Sequence, residues 1–385
     1  MTRPSPPAPL RTAHSDPDLI RLQATIAELA ADAYAGRRVG TSGGRAAATW
    51  LAQQLVQLGA TVTTETFPVP GVRDLYATPA LRWRGRTLVH RRDFVEHLAS
   101  ADLPDPRTGT LSDKPEPGRW LLAADPTTAA HSGVAGVLVP RGVDAEGWMP
   151  KMIAGPPQGE LPILAVRADL HAEMITEGGE ITASLPLRTI EVTGTNVHAV
   201  FTTGTPSILL TAHHDGVGDD PAQRLPAAAD NASGVAVVLE AARLLTISPP
   251  PGIGLAVALL DAEEAGAHGS AHHAPRVPPA THVINIDGAA ELTEAASIEA
   301  GGPATALLAA LDQAGRETGV PLRAGAMASD NRRYAAAGLP AIGIGMGIPG
   351  YQTPAETPDR VDPATLVAAT RLVVATVRHL AEHTD

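Results

Sequence analysis

Four short segments carry side chains able to hold a divalent metal ion and to move a proton beside it. They read TAHHDG (211–216), AADNASG (228–234), LLDAEEAG (259–266) and VINIDG (283–288). The candidate ligands are His213, Asp230, Glu263 with Glu264, and Asp287. His213 and Asp215 lie two apart at the end of an apolar run. If that run is a strand, both side chains point to one side, and the carboxylate can orient the imidazole. Adjacent glutamates at the rim of a buried region repel each other, and burial raises the cost, unless a cation compensates. One of the pair can then ligate while the other stays free as a general base.

Each segment alone also has an ordinary explanation. His-x-Asp is a common strand end, Asp230 can be a helix N-cap, two glutamates can sit on the positive end of a helix dipole, and Asp287 can form a turn. The case for chemistry rests on the set, and the set needs elements that gather it. SILLTA (207–212), GLAVALL (254–260) and HVINI (282–286) read as buried strands running into candidate residues. AIGIGMG (341–347) reads as another strand. Apolar residues recur at helical spacing over 18–58, 231–246, 304–319 and 363–382. The first of these stretches is broken by GRRVGTSGG, which reads as a Gly-rich loop. TIEVTGTNVHAVFTT (189–203) alternates like a hairpin or a pair of edge strands. Strands alternating with helices predict an α/β fold with a mixed, largely parallel central sheet and helices on both faces. Such sheets bind ligands at the carboxyl ends of their strands. The stretch from Gly216 to Ala229 reads as a flexible loop returning Asp230 to the edge where His213 lies.

The domain expectation is a lead over 1–16 without structure, a catalytic domain over 17–68 and 188–385, and a smaller, mostly β insertion over 69–187. The insertion is rich in Pro, Gly and short apolar runs such as RWLLAA (119–124) and GVAGVLVP (133–140), and holds none of the candidate ligands. The chain has 385 residues, 44% hydrophobic and 18% charged, enough for a packed core. Aromatics are only 3%, so Ala, Val, Leu and Ile must fill it. A formal charge of -12 with no basic stripe speaks against a nucleic-acid partner. The absence of cysteine excludes disulfides, Cys-ligated zinc and a cysteine nucleophile. The Pro-rich N-terminus does not read as a signal peptide and no apolar run approaches 18 residues, so the expectation is a cytoplasmic protein with no membrane partner.

Taken together, the segments resemble the M28 family of co-catalytic zinc peptidases. AHHD is similar to that family's His-x-Asp, AADNASGVAVVLEAARLL to its Asp-bearing helix start, LLDAEEAGAHGS to its Glu-Glu turn and INIDG to its Asn-x-Asp. SDNRRYAAAGLPAIGIG (329–345) and GRRVGTSGGRAAATWLAQQLVQLGATVTTETF also look like the family, and the insertion resembles a protease-associated domain. The resemblance implies a zinc-peptidase-like fold and cleavage of amide bonds, most of its members being aminopeptidases that act on peptides. It implies that His213 and Asp287 bind one zinc ion, that Glu264 binds a second, and that Asp230 bridges both. It further implies Glu263 as general base, Asp215 as support for His213, and a cis peptide after Asp230.

One position departs from the pattern. The family's last histidine ligand is replaced in YQTPAETPD by Gln352, with Glu356 where an aspartate is usual. A glutamine carbonyl is a neutral and weaker zinc ligand than imidazole. Three outcomes stay open: a single ion on His213, Asp230 and Asp287; a second site taking a harder cation such as Mg²⁺, Mn²⁺ or Ca²⁺; or a substitute among His268, His272, His273 and His282, for which the plain reading is surface or helix histidine. The same departure keeps two rival functions in view, a specialised amide hydrolase or acyl-transfer (cyclase) enzyme, and a binding protein on a decayed peptidase scaffold. Retention of Glu263 argues against the second. Arg332 and Arg333 could meet a substrate carboxylate or simply form a solvated face.

Overall fold

The computed structural model describes residues 16–129 and 133–382. The expected lead over 1–16 falls outside the described residues except for Asp16. The main sheet has eight strands: β1 Thr61–Leu75, β2 Leu187–Thr202, β3 Ser207–His213, β4 Gly254–Leu260, β5 His282–Ile286, β6 Ala296–Gly301, β7 Leu322–Ala324 and β8 Ala341–Gly345. Their order across the sheet is β1-β2-β4-β3-β5-β8-β6-β7. The four central strands β4, β3, β5 and β8 are parallel, while the pairings β1–β2, β2–β4 and β8–β6 are antiparallel. A parallel strand is covered on both faces and so must be apolar throughout, which is why Ile208, Leu209 and Leu210 are consecutive and all buried in β3.

Helices supply that cover. On one face α1 (Leu19–Leu29), α2 (Ser42–Gln57), α3 (Gly234–Ile247), α4 (Thr305–Thr318) and α5 (Pro363–Glu382) share one core. Leu22, Leu51, Val238, Leu311 and Leu372 meet Leu210 and Ile284 there. On the other face Leu209, Leu260 and Val283 pack against Tyr334 and Leu339. By length and composition α5 is apolar enough to cross a membrane, but its apolar face lies in the core against α3 and α4.

Two local readings need correction. GRRVGTSGG is not all loop, because α2 begins inside it at Ser42. Thr41 caps the helix, its Oγ1 accepting from the Gly44 N–H at 3.1 Å. Gly43 is tolerated in a first turn because a Cβ there would stand 1.9 Å from the Tyr34 carbonyl oxygen. Residues 189–203 are not a hairpin but part of the single strand β2, paired on both edges, with β1 and β4.

A second eight-stranded sheet lies between β1 and β2 in the chain, its outermost strands in sequence being Ala80–Trp83 and Glu180–Leu185. It has its own core, with Phe94, Trp120, Leu138, Leu164 and Ile181 fully buried. The ribbon joining the two sheets is the β1–β2 pair, which runs from Thr61↔Val200 to Leu75↔Leu187 with one register shift between Val69 and Val72. It therefore runs on past Val69.

Candidate metal centre

Strand register brings the first candidates together. Thr211 pairs with Asn285 in the parallel β3–β5 ladder, and the Thr211 hydroxyl donates to Asn285 Oδ1 at 2.7 Å. His213 and Asp287 stand two residues further on in each strand and so face the same side at neighbouring carboxyl ends. His213 Nε2 lies 3.1 Å from Asp230 Oδ1 and 3.3 Å from Asp287 Oδ1. Ligand atoms of the three residues all lie within 4.8 Å of one another, and no other such trio of His, Asp or Glu occurs among the described residues.

Asp230 is free for this role because its neighbour does the capping. Asn231 Oδ1 accepts from the Gly234 and Gly288 N–H groups at 3.0 and 3.1 Å, and Asn231 Nδ2 donates to the Ile286 carbonyl at 2.8 Å. The N-cap function thus belongs to Asn231, and the helix proper starts at Gly234 rather than at Asn231. The Asp230–Asn231 peptide is cis. The backbone of Asp230 is fixed by Glu356, whose Oε1 accepts from the Ala229 and Asp230 N–H groups at 3.0 and 2.6 Å. The other oxygen of Glu356 accepts from the Gln352 N–H at 2.7 Å. One carboxylate therefore ties Asp230 to Gln352.

The glutamate pair sits in a turn after β4, before the helix His268–His273 begins, so the helix dipole does not account for it. Asp215 accepts from the N–H of Glu263 at 3.1 Å and of Glu264 at 3.2 Å. Its carboxylate is 3.5 Å from His213 Nδ1, which has no hydrogen-bond partner. Asp215 thus holds the glutamate turn by hydrogen bonds and faces His213 Nδ1 across 3.5 Å. Gln352 Nε2 donates to Glu264 Oε2, while Glu264 Oε1 and Gln352 Oε1 are buried without partners.

The electrostatics describe a cluster short of positive charge. Burial raises the Glu263 and Glu264 carboxyls well above their ordinary range; at Glu264 repulsion from Asp230 and Glu263 adds to it, and at Glu263 the pull of His213 is opposed by Asp287 and Asp330. Burial also raises Asp230, against the pull of His213. Burial opposes charge on His213, yet Asp287, Asp215 and Asp230 outweigh it and raise its pKa well above the ordinary value. A divalent cation supplies the missing charge. Neighbouring ligands of a tetrahedral ion with bonds of about 2.0–2.1 Å stand about 3.3 Å apart, which is the spacing found around His213 Nε2. One imidazole and two carboxylates therefore fit a zinc ion.

The remaining candidates separate cleanly. His272 pairs with Glu65 at 3.1 Å, and His273 Nδ1 is 2.9 Å from the hydroxyl of Tyr334. His268 and His282 are partly buried, and none of the four joins the His213 trio. His214 is buried with Nε2 3.1 Å from the Thr195 carbonyl, a structural position. Arg332 pairs with Glu299, and Arg333 donates to the Gly266 carbonyl. A pocket of about 420 Å³ opens over Asp230, Glu263, Glu264 and Asp287, its other walls including Met327, Gly345, Ile348 and Tyr351. Neither arginine lines it.

Sequence reasoning missed Arg37. It is fully buried, and its Nε donates to the His214 carbonyl at 2.9 Å. Nη1 donates to Leu29 and Pro226, and Nη2 to Ala227, at 2.7, 3.0 and 2.7 Å. It thereby grips both ends of the segment joining His213 to Asp230. That segment is buried except around 219 and 221–224, so it is not the flexible loop expected: its backbone carbonyls are bound by protein donors instead of water. Arg37→Met should lower stability by roughly 3 kcal/mol or more, since each buried carbonyl stripped of its donor costs about 1–3 kcal/mol. A thermal melt of the metal-free protein would read this loss.

A sheet that gathers a histidine and several carboxylates at the carboxyl ends of parallel strands, under an open pocket, is the architecture of a metal-dependent hydrolase. The fold is similar to a zinc aminopeptidase from Bacillus subtilis, with a TM-score of 0.73 and 20% identity over 94% of each chain. It is also similar to an aminopeptidase from Aneurinibacillus sp. strain AM-1, with a TM-score of 0.69 and 20% identity over 94% of each chain. A peptidase M28 precursor from Shewanella amazonensis matches with a TM-score of 0.71 and 19% identity over 96% of this chain and 98% of that one. A search of the curated proteins gives no match. Residues 196–377 match the model of peptidase family M28. The matched stretch is that of an M28 metallopeptidase and holds every residue of the candidate centre, from His213 to Gln352.

Proposed function

We propose that the chain is an aminopeptidase that holds one zinc ion on His213, Asp230 and Asp287, with Glu263 as general base. The observation that carries this reading is the unligated Glu263 carboxylate in the wall of the pocket, beside the trio. A bound zinc ion would polarise the scissile carbonyl and acidify the attacking water. Glu263 accepts a proton from that water at its carboxylate and returns it to the leaving nitrogen. Positive charge among the three ligands offsets the burial and the nearby carboxylates that raise the Glu263 carboxyl, which favours its role as a base. The backbone N–H of Glu263, donating to Asp215, holds it in the pocket wall while it does so.

Support for a single ion comes from Gln352. Its amide already occupies one oxygen of Glu264, and a neutral carbonyl beside Glu264 and Asp230 makes a weak zinc site. Residues 69–187 are read as an inserted domain similar to a protease-associated domain; the separate sheet and core support an independent unit.

The test is a panel of aminoacyl-nitroanilides and their N-acetylated counterparts, given to the zinc-loaded protein. An aminopeptidase cleaves those with a free amine and spares the acetylated ones. Silence on the free-amine series, with turnover of other amides, would replace this reading by the specialised amide hydrolase.

A further inference from the structure

Lys151 lies in the second sheet's connection between the strands Gly136–Arg141 and Ile163–Arg167. It is 4% exposed. Its ammonium donates to the Gly218 and Asp219 carbonyls at 2.9 and 3.0 Å and stands 3.1 Å from Asp220 Oδ1. A lysine ammonium has three donors, and here all three are used. Its own backbone N–H donates to the Gln352 carbonyl at 3.0 Å. One residue therefore holds the segment that joins His213 to Asp230 and also the segment that carries Gln352.

Its neighbours reinforce the grip. Arg91, fully buried, donates from Nε to Asp220 Oδ2 at 2.7 Å and from Nη2 to Glu96 Oε1 at 2.7 Å. His90 lies 3.2 Å from Glu96 and 3.8 Å from Asp220. Two cations from the inserted sheet thus meet one of its carboxylates and Asp220 from the main domain. Two residues on, Ile153 is fully buried against Val217, Leu225, Ala262 and Ala265. Ala262 and Ala265 flank the glutamate pair. Apolar contact alone would hold the two units together; a buried ammonium with directional bonds to three successive residues fixes where they sit.

We propose that Lys151 is a positioning residue for the metal centre, setting the spacing between the Asp230 and Gln352 segments so that zinc affinity depends on a side chain of the inserted sheet that never touches the ion. This rests on the reading of His213, Asp230 and Asp287 as zinc ligands. The experiment measures zinc affinity of the full chain by competition with a chromophoric chelator, for the wild type, Lys151→Met and Glu146→Gln. Glu146 pairs with Arg360 across the same junction but is exposed, so Glu146→Gln should bind zinc as the wild type does. Lys151→Met should bind it about 10–100-fold more weakly, the usual cost of losing a group that orients ligands. Circular dichroism and melting of the metal-free forms report folding separately. If folded Lys151→Met has a lower melting temperature but unchanged zinc affinity, its role is merely structural and the proposal fails. If Lys151→Met does not fold, Lys151→Gln, whose shorter amide has two donors for three acceptors and no charge for Asp220, decides in the same way: weaker zinc binding upholds the proposal and unchanged binding overturns it. A wild type that binds no zinc would bring down the ligand reading itself, a result distinct from equal affinities.

Discussion

Glu263→Gln is expected to lower kcat by about 10²–10⁴-fold, the range a well-placed general base supplies, while zinc content stays at the wild-type value. The substitution keeps the size and the backbone bond to Asp215 but removes the proton-accepting oxygen. Metal content is unaffected because Glu263 is outside the trio of His213, Asp230 and Asp287. Single-turnover kinetics and elemental analysis of the same preparation check both halves. Full activity in the variant would show that another group takes the proton, and loss of zinc would show that Glu263 is a ligand.

Gln352→His is expected to raise the zinc content from one ion per chain to two. The backbone at position 352 is pinned from two directions, by Glu356 accepting its N–H and by Lys151 donating to its carbonyl. Its side chain is buried and already reaches Glu264. A histidine there would offer a ring nitrogen to an ion shared with Glu264 and Asp230, whose carboxyls are raised by burial and by neighbouring carboxylates. Imidazole plus two carboxylates matches the donor set already found at the first site. Elemental analysis after dialysis gives the ratio directly. If a folded Gln352→His variant still holds one ion, the amide at 352 is not what limits the second site.

Much of the site was legible because it sits where local pattern and chemistry coincide. β3, β4 and β5 announce themselves as apolar runs that stop at a polar residue, and each stop delivers a candidate: His213, the Glu263–Glu264 turn and Asp287. The final helix was legible to its bounds, Pro363 to Glu382, because its period is long and its start carries a proline. What was not legible acts through backbone carbonyls and over long sequence distances. Arg37 binds the carbonyls of residues 177 to 190 positions away, and no period or motif marks a partner of that kind. Lys151 reaches Gly218 across 67 residues and lies in a part of the chain that holds no candidate ligand. Asn231 as the helix cap was not legible either, since Asp230 one residue earlier is an equally good capping type; only the approach of Gly288 and Ile286 to Asn231 decides it.

The two cores differ in what they are made of. The main core relies on Ala, Val, Leu and Ile, and its helix α2 carries the single tryptophan of that domain, Trp50. The other three tryptophans, Trp83, Trp120 and Trp148, belong to the inserted unit, with Trp120 at its centre. Intrinsic fluorescence is therefore chiefly a label on the insertion, whereas most of the helical ellipticity arises from the domain that bears the candidate metal centre. Nature has given the two halves separate optical signatures, and denaturation followed by both signals at once distinguishes concerted melting from stepwise melting without any engineered probe.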